Sequence, residues 1–238
     1  MSQIISRGES SGTIYLEYDS LIVESGGRVG EVFVGEGGIL VISEGGKVSS
    51  ASVSGLYCEV SVGSGADLSS ATIGSGAWIT VLSGGTVTAI VEDGGFIDDR
   101  NGAEVTFIPH EIPELVVGAD QSATIHAETT VGSAYVTGER GFGGWLLVCE
   151  SATLSHITVT SYGELDALGL VADVTVREGG YVNARTNTMR SVYVYDGGYA
   201  AVYSTGAAED VTIYNGGSCN VNGGSASFTI VSSGGTYT

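Results

Sequence analysis

Apolar residues recur along this chain in pairs two positions apart, each pair leading toward a glycine-marked corner. Leu21 and Val23 precede Gly26-Gly27, and Leu40 and Ile42 precede Gly45-Gly46. Residues i and i+2 of a strand share a face, so each pair predicts a short strand with two inward side chains. One strand class gives Leu21, Leu40, Val60 and Ile79, with Val23, Ile42, Val62 and Val81 two residues on, at steps of 19, 20 and 19. A second class gives Val34, Val53, Ile73 and Val91, at steps of 19, 20 and 18, with Val32, Ala51, Ala71 and Ala89 two residues before. From residue 146 the rhythm resumes. Leu146, Leu165, Val182, Ala200 and Cys219 form one column; Val159, Val176, Val194, Ile213 and Val231 form the other.

A repeat of about 19 residues with two corners cannot bury its apolar side chains alone, whereas stacked copies bury them and pair every strand with the coils above and below. The pattern therefore predicts an all-β fold, a single-stranded parallel β-helix (β-solenoid) with about 19-residue coils and Gly-Gly corners, roughly twelve coils in all. Glycine suits the corners because it takes positive φ without a Cβ clash. Where the pair degenerates it reads Gly-Ser-Gly-Ala, at 63–66 and 74–77, which is still turn chemistry. A phosphate-cradling loop needs a following helix and its own signature, and a helical period is absent throughout. A β-sandwich has no fixed repeat length with the same inward residue at the same phase. The Leu frame of leucine-rich repeats and the Gly-Gly-x-Gly-x-Asp run of calcium-binding nonapeptide repeats are both missing.

The rhythm divides the chain. Residues 1–20 read as an opening, capping turn, 21–97 as a first solenoid block and 146–238 as a second. Between them, 98–145 reads as an irregular insert or a set of decorated coils. That stretch holds both prolines, Pro109 and Pro113, and two of the three histidines, His110 and His126. Proline removes a ladder donor, so it predicts a bend, bulge or edge.

Charge narrows the partners. There are 27 acidic and 8 basic residues, a net charge of −19. Nucleic acid and anionic lipid surfaces need a basic face and are excluded as partners, and no apolar span predicts membrane insertion. The acidity serves first to keep a regular β surface from sticking. Cys58, Cys149 and Cys219 are scattered and odd in number, so neither a disulfide framework nor a metal site is expected, and no cofactor is implied. The first 20 residues lack a basic region followed by an apolar run and do not read as a conventional secretory signal peptide.

Two sets of residues carry candidate chemistry. Tyr195 and Tyr214 are 19 residues apart and are expected to stack outward on neighbouring coils. With Tyr193, Tyr199 and Tyr203 they form a candidate binding strip for a carbohydrate or a partner rod. The competing reading is a purely structural aromatic ladder. The second set is Asp98, Asp99, Glu104, His110 and Glu111, a carboxylate-rich patch of the kind a polysaccharide-cleaving β-helix would need. The alternative there is a solvated loop, and the histidines show no ligand spacing.

The segments GGILVISEGGKV, GAWITVLSGGTV and VYVYDGGYAAV resemble the strand-loop-strand repeats of autotransporter passengers of the AIDA-I and antigen 43 type. The stretch from Asn101 to Val131 is similar to an insert that recurs between such repeats. The opening, from Ile4 to Gly27, is similar to the start of stand-alone bacterial proteins built from them. The resemblance implies a right-handed parallel β-helix at the bacterial surface, secreted or cell-surface. It further implies self-association, adhesion to host cells, and glycosylation of outward Ser and Thr in some members. Together these readings predict a non-catalytic bacterial adhesin-type solenoid whose partners are itself, as a lateral oligomer, or a cell-surface protein or glycan. The alternative is a polysaccharide-binding or -cleaving β-helix of phage or secreted type.

Overall fold

The computed structural model describes residues 2–238. They form strands and turns, with no helix among them. The chain divides into two compact units, one ending at His110 and the other spanning Glu111–Thr238. The boundary falls inside the stretch where the sequence rhythm fails.

The first unit has a 6-stranded and a 7-stranded sheet. Ser2–Ile5, Ser20–Val23, Ile39–Ile42, Cys58–Val62, Ala77–Val81 and Phe96–Asp99 build the first sheet in chain order. Ser10–Leu16, Arg28–Val34, Lys47–Val53, Ala71–Gly74, Thr86–Asp93 and Glu104–Phe107 lie in the second. The chain alternates between the two, and consecutive coils pair in parallel, Ser20 with Ile39 and Ile39 with Glu59, steps of 19 and 20 residues. The unit is a β-solenoid. Residues 2–16 contribute a strand to each sheet in the same way as later coils.

The inward columns of this unit are buried as the pattern predicts, whereas Val231, at the end of a column in the second unit, pairs with Ile213 yet is 44% exposed. Leu21, Leu40 and Ile79 are 0% exposed and Val60 is 2% exposed. Each such side chain contributes roughly 1.5–3 kcal/mol relative to exposure. A third inward column, Val29, Val48, Leu68 and Val87, is equally buried and was not visible as a separate class in the sequence. It makes the second strand of each coil a two-part element with an outward kink between its inward residues.

One phase assignment is corrected. Val91 and Ala89 are half-buried rather than inward. Ile90 pairs with Ala71 and Glu92 with Ile73, so Ile90 and Glu92 take the inward positions, both 0% exposed. The ladder keeps a 19-residue step here. A slip of one residue would have turned Ile90 out to solvent together with the rest of its strand, and backbone register outweighs the polarity of one side chain.

The corner at Gly45-Gly46 shows why two glycines are used. Gly45 has φ +73°, a left-handed conformation. Gly46 has a different constraint: a Cβ there would lie 2.4 Å from the carbonyl oxygen of Val23 on the preceding coil. The corner amides also form a spine. Gly26 N–H donates to Gly45 O, Gly45 to Gly65, Gly65 to Gly84 and Gly84 to Gly102, at 2.7–3.0 Å.

The second unit repeats the design with an 8-stranded and a 7-stranded sheet. Ser122–Ile125, Trp145–Val148, Glu164–Ala167, Tyr181–Ala184, Tyr199–Tyr203 and Ser218–Asn222 run in order through the latter. Thr153–Val159, Leu170–Val176, Thr188–Val194 and Ala207–Ile213 are the long strands of the former. At the middle of each long strand stands a left-handed residue that is not glycine: His156, Asp173, Ser191 and Asp210, with φ between +53° and +57°. Asp and His are among the residues that tolerate this conformation best. The corner lets Leu154 and Ile157 both point inward despite being three residues apart. The rhythm fails before Trp145 because Ile125 pairs with Val148, a step of 23 residues. The excess is a loop closed by Glu139 and Phe142, which exchange two backbone hydrogen bonds of 2.9 Å.

Candidate functional site

Immediately after the inward Val176, Val194 and Ile213, each coil of the second unit turns a corner, and the first corner residues are Arg177, Tyr195 and Tyr214. Backbone bonds fix their register: Tyr195 N–H donates to Val176 O and Tyr214 N–H to Val194 O, both at 2.8 Å. The two rings consequently stack, with centroids 4.5 Å apart and planes 11° from parallel. The Arg177 guanidinium lies 5.2 Å from the Tyr195 centroid, which extends the row with a cation–π contact. Burial, followed by Tyr195 and Tyr193, pushes the Tyr214 hydroxyl above its ordinary range. An open groove of about 640 Å³ runs along this row, walled by Arg177, Glu178, Tyr195, Asp196, Tyr214 and Asn215.

A different face of the unit carries the other tyrosines. Tyr181 and Tyr199 pair in register and stack with centroids 4.8 Å apart at 8°. Beside them lies a polar cluster. Asp166, 6% exposed, accepts hydrogen bonds from Asn183 Nδ2 at 2.8 Å, Arg185 Nε at 2.8 Å and Trp145 Nε1 at 3.2 Å. Asn183 Nδ2 also donates to Glu164 Oε1 at 2.9 Å, so two carboxylates set the orientation of one buried amide. The Asp166 hydrogen bond raises the Arg185 guanidinium above its usual value, and Arg185 in turn lies 5.3 Å from the Tyr203 centroid. Burial and then the Asp166 charge push the Glu164 carboxyl up. Burial and a hydrogen bond with Tyr203 push the Tyr181 hydroxyl up.

The five tyrosines singled out in the sequence therefore do not form one strip. Tyr195 and Tyr214 stack, with Tyr193 close enough to act on Tyr214, whereas Tyr199 and Tyr203 belong to the sheet that holds the Asp166 cluster. The residues of the carboxylate patch do not share one sheet. Asp98 and Asp99 lie on one sheet of the first unit and Glu104 on the other, while Glu111 belongs to the second unit. Asp98 pairs with Arg100 at 2.6 Å, and His110 sits 3.4 Å from Asp93. Among the described residues no group of three or more His, Cys, Asp or Glu could hold a metal ion. The cysteines are free; burial pushes the Cys219 thiol up to about 11 and raises that of Cys58, which disfavours the thiolate of both. Among the described residues no helix is long and apolar enough to cross a membrane, which says nothing of β-barrels.

Arg177, Trp145, Glu164, Asp166, Asn183 and Arg185 were not anticipated. A signal was present for Asp166 and Asn183, which occupy the same outward position of successive coils, one residue after the inward Leu165 and Val182. Their pairing was not readable, because Trp145 and Arg185 reach Asp166 from other positions of the chain and Asn183 is held between two carboxylates.

No protein-family model matches the chain, and no curated protein matches it. Among solved structures it is similar to a crystal structure of a TibC-catalysed, hyper-glycosylated TibA fragment, with 23% identity and a TM-score of 0.53. The match covers 99% of this chain and 90% of that one. At that identity the likeness establishes a shared β-solenoid fold and no more.

Proposed function

We propose that this chain is a non-catalytic solenoid of adhesin type, secreted or at the cell surface, that works through its outer faces by lateral self-association or by holding a cell-surface protein or glycan. The observation that carries this reading is the stacked row Arg177–Tyr195–Tyr214 in an open groove. Rigid aromatic side chains offer large contact area at small entropic cost, and an arginine beside them adds directional donors. The fold shared with a hyper-glycosylated TibA fragment and the repeat likeness to autotransporter passengers support the same reading.

The net charge of −19 opposes lateral contact between copies and is screened by salt. Sedimentation velocity across a salt and divalent-cation series tests self-association, with the oligomer fraction expected to rise with ionic strength. A cell- and glycan-binding screen of the wild type against a Tyr195→Ala/Tyr214→Ala chain tests adhesion. A monomer under all conditions that also binds no cell or glycan would overturn the proposal and leave a passive spacer.

A further inference from the structure

A second surface, on the first unit, has the construction of a ligand site and involves none of the tyrosines above. On its 6-stranded sheet, Ile39, Glu59 and Trp78 stand in register on three successive coils, and Val41, Ser61 and Thr80 do so two residues on. Between these two rows lies a basin of about 380 Å³. Ser61, in the middle coil, is the small residue that leaves the space. The indole of Trp78 lies across its own strand, because its Nε1 donates to Thr80 Oγ1 at 3.2 Å. On the side of the next coil it packs on Phe96, with centroids 4.1 Å apart. Its opposite side is left to wall the basin, and Trp78 remains 37% exposed. Ile39, 39% exposed, stands at the far end.

We propose that this basin binds a neutral saccharide ring, seated over Ser61 between the Trp78 indole and the Ile39–Val41 end. Three observations select that class. The two outer coils, one carrying Ile39 and Val41 and the other Trp78 and Thr80, are two coil steps apart, about 9.6 Å, and a ring touching carbon on both sides at ordinary contact distance needs about 7–8 Å. The apolar ends suit the C–H faces of a pyranose, while Ser61, Thr80 and the exposed Glu59 carboxylate suit its hydroxyls. No lining residue is cationic, so acidic sugars find a repelling carboxylate and no counter-charge. A flat aromatic ligand would desolvate Glu59 without offering it a donor. A simple ammonium would pair with Glu59 but leave the Ile39–Val41 end unused.

The inference deepens the reading of this chain as a binding solenoid by naming a ligand class, and it stands on residues separate from the tyrosine groove. Calorimetry and saturation-transfer NMR on the full chain test it with neutral gluco-, galacto- and manno-oligosaccharides, uronic acid oligomers and spermine. At least one neutral oligosaccharide is expected to bind and the uronic acids are not. Glu59→Gln, which loses a charged acceptor, should weaken binding roughly tenfold. Ser61→Leu, which fills the basin from an outward position, should abolish it. Trp78→Ala should do the same, though it also removes the Phe96 partner, so the first two variants carry the argument. The Tyr195→Ala/Tyr214→Ala chain should bind as the wild type does even if its cell adhesion is lost. Four results would overturn the inference: no neutral oligosaccharide bound, binding unchanged in Glu59→Gln and Ser61→Leu, spermine alone bound, or saccharide binding lost only in the tyrosine variant.

Discussion

Tyr195 and Tyr214 stand one coil apart with ring planes 11° from parallel, and each is held there by its own amide bonding to the preceding coil. The stack is thus imposed by the backbone ladder and does not depend on the rings to form. Removing either ring should cost about 0.5–1.5 kcal/mol beyond lost area, and the two losses should fail to add in a double-mutant cycle. Urea unfolding of Tyr195→Ala, Tyr214→Ala and the pair checks this. Strictly additive losses would mean that the rings touch without coupling.

Asp166 and Arg185 form an ion pair of unequal burial, with side chains 9% and 42% exposed. Removing the cation leaves a carboxylate in the sheet without its counter-charge; removing the carboxylate lets the guanidinium turn to water. Arg185→Met should therefore be the worse change, at about 2–4 kcal/mol, and Asp166→Asn should cost about 1 kcal/mol. Denaturant midpoints of the two variants decide the order.

Glu164 gives a pH dependence of definite sign. Burial and then Asp166 raise its carboxyl in the folded chain, so the folded state holds the proton more tightly than the unfolded state. The stability this confers is full below the ordinary glutamate value and is lost as pH rises through the raised value. Glu164→Gln should accordingly match the wild type at acid pH and exceed it near neutrality, by less than about 1 kcal/mol because the group is partly solvated. Thermal melts of both chains from acid to neutral pH measure the gap, which must widen with pH.

Two glycines predict unequal tolerance. A Cβ on Gly46 meets the Val23 carbonyl oxygen at 2.4 Å, whereas Gly8, at φ +82°, has nothing within 4 Å. Gly46→Ala should cost more than Gly8→Ala, about 1–3 against about 1 kcal/mol, since the first adds a clash and the second only backbone strain. Comparison of their chevron plots or equilibrium unfolding curves tests the order.

Much of the fold could be read in advance. The columns through Leu21, Leu40, Val60 and Ile79 and through Leu146, Leu165, Val182 and Ala200 gave coil length, strand direction and inward faces, because stacked parallel coils repeat one environment at one interval. The third column, Val29 to Val87, was hidden because only one inward residue represents it in each coil. Val91 misled because an apolar side chain at nearly the right phase resembles a core residue, while the ladder placed Glu92 beside Ile73.

The sequence by itself determined that this chain stacks, and that Tyr195 and Tyr214 fall in one column, since both follow from periodicity along the chain. Only the tertiary structure decided which side chains meet across that period. It separated Tyr199 and Tyr203 from Tyr195 and Tyr214 because the coil turns a corner between them. It also closed Trp145 and Arg185 over Asp166, and left a basin over Ser61 because its neighbours on adjacent coils are larger. Periodicity fixes the positions of backbones; the size and reach of side chains from different coils fix what the surface can hold.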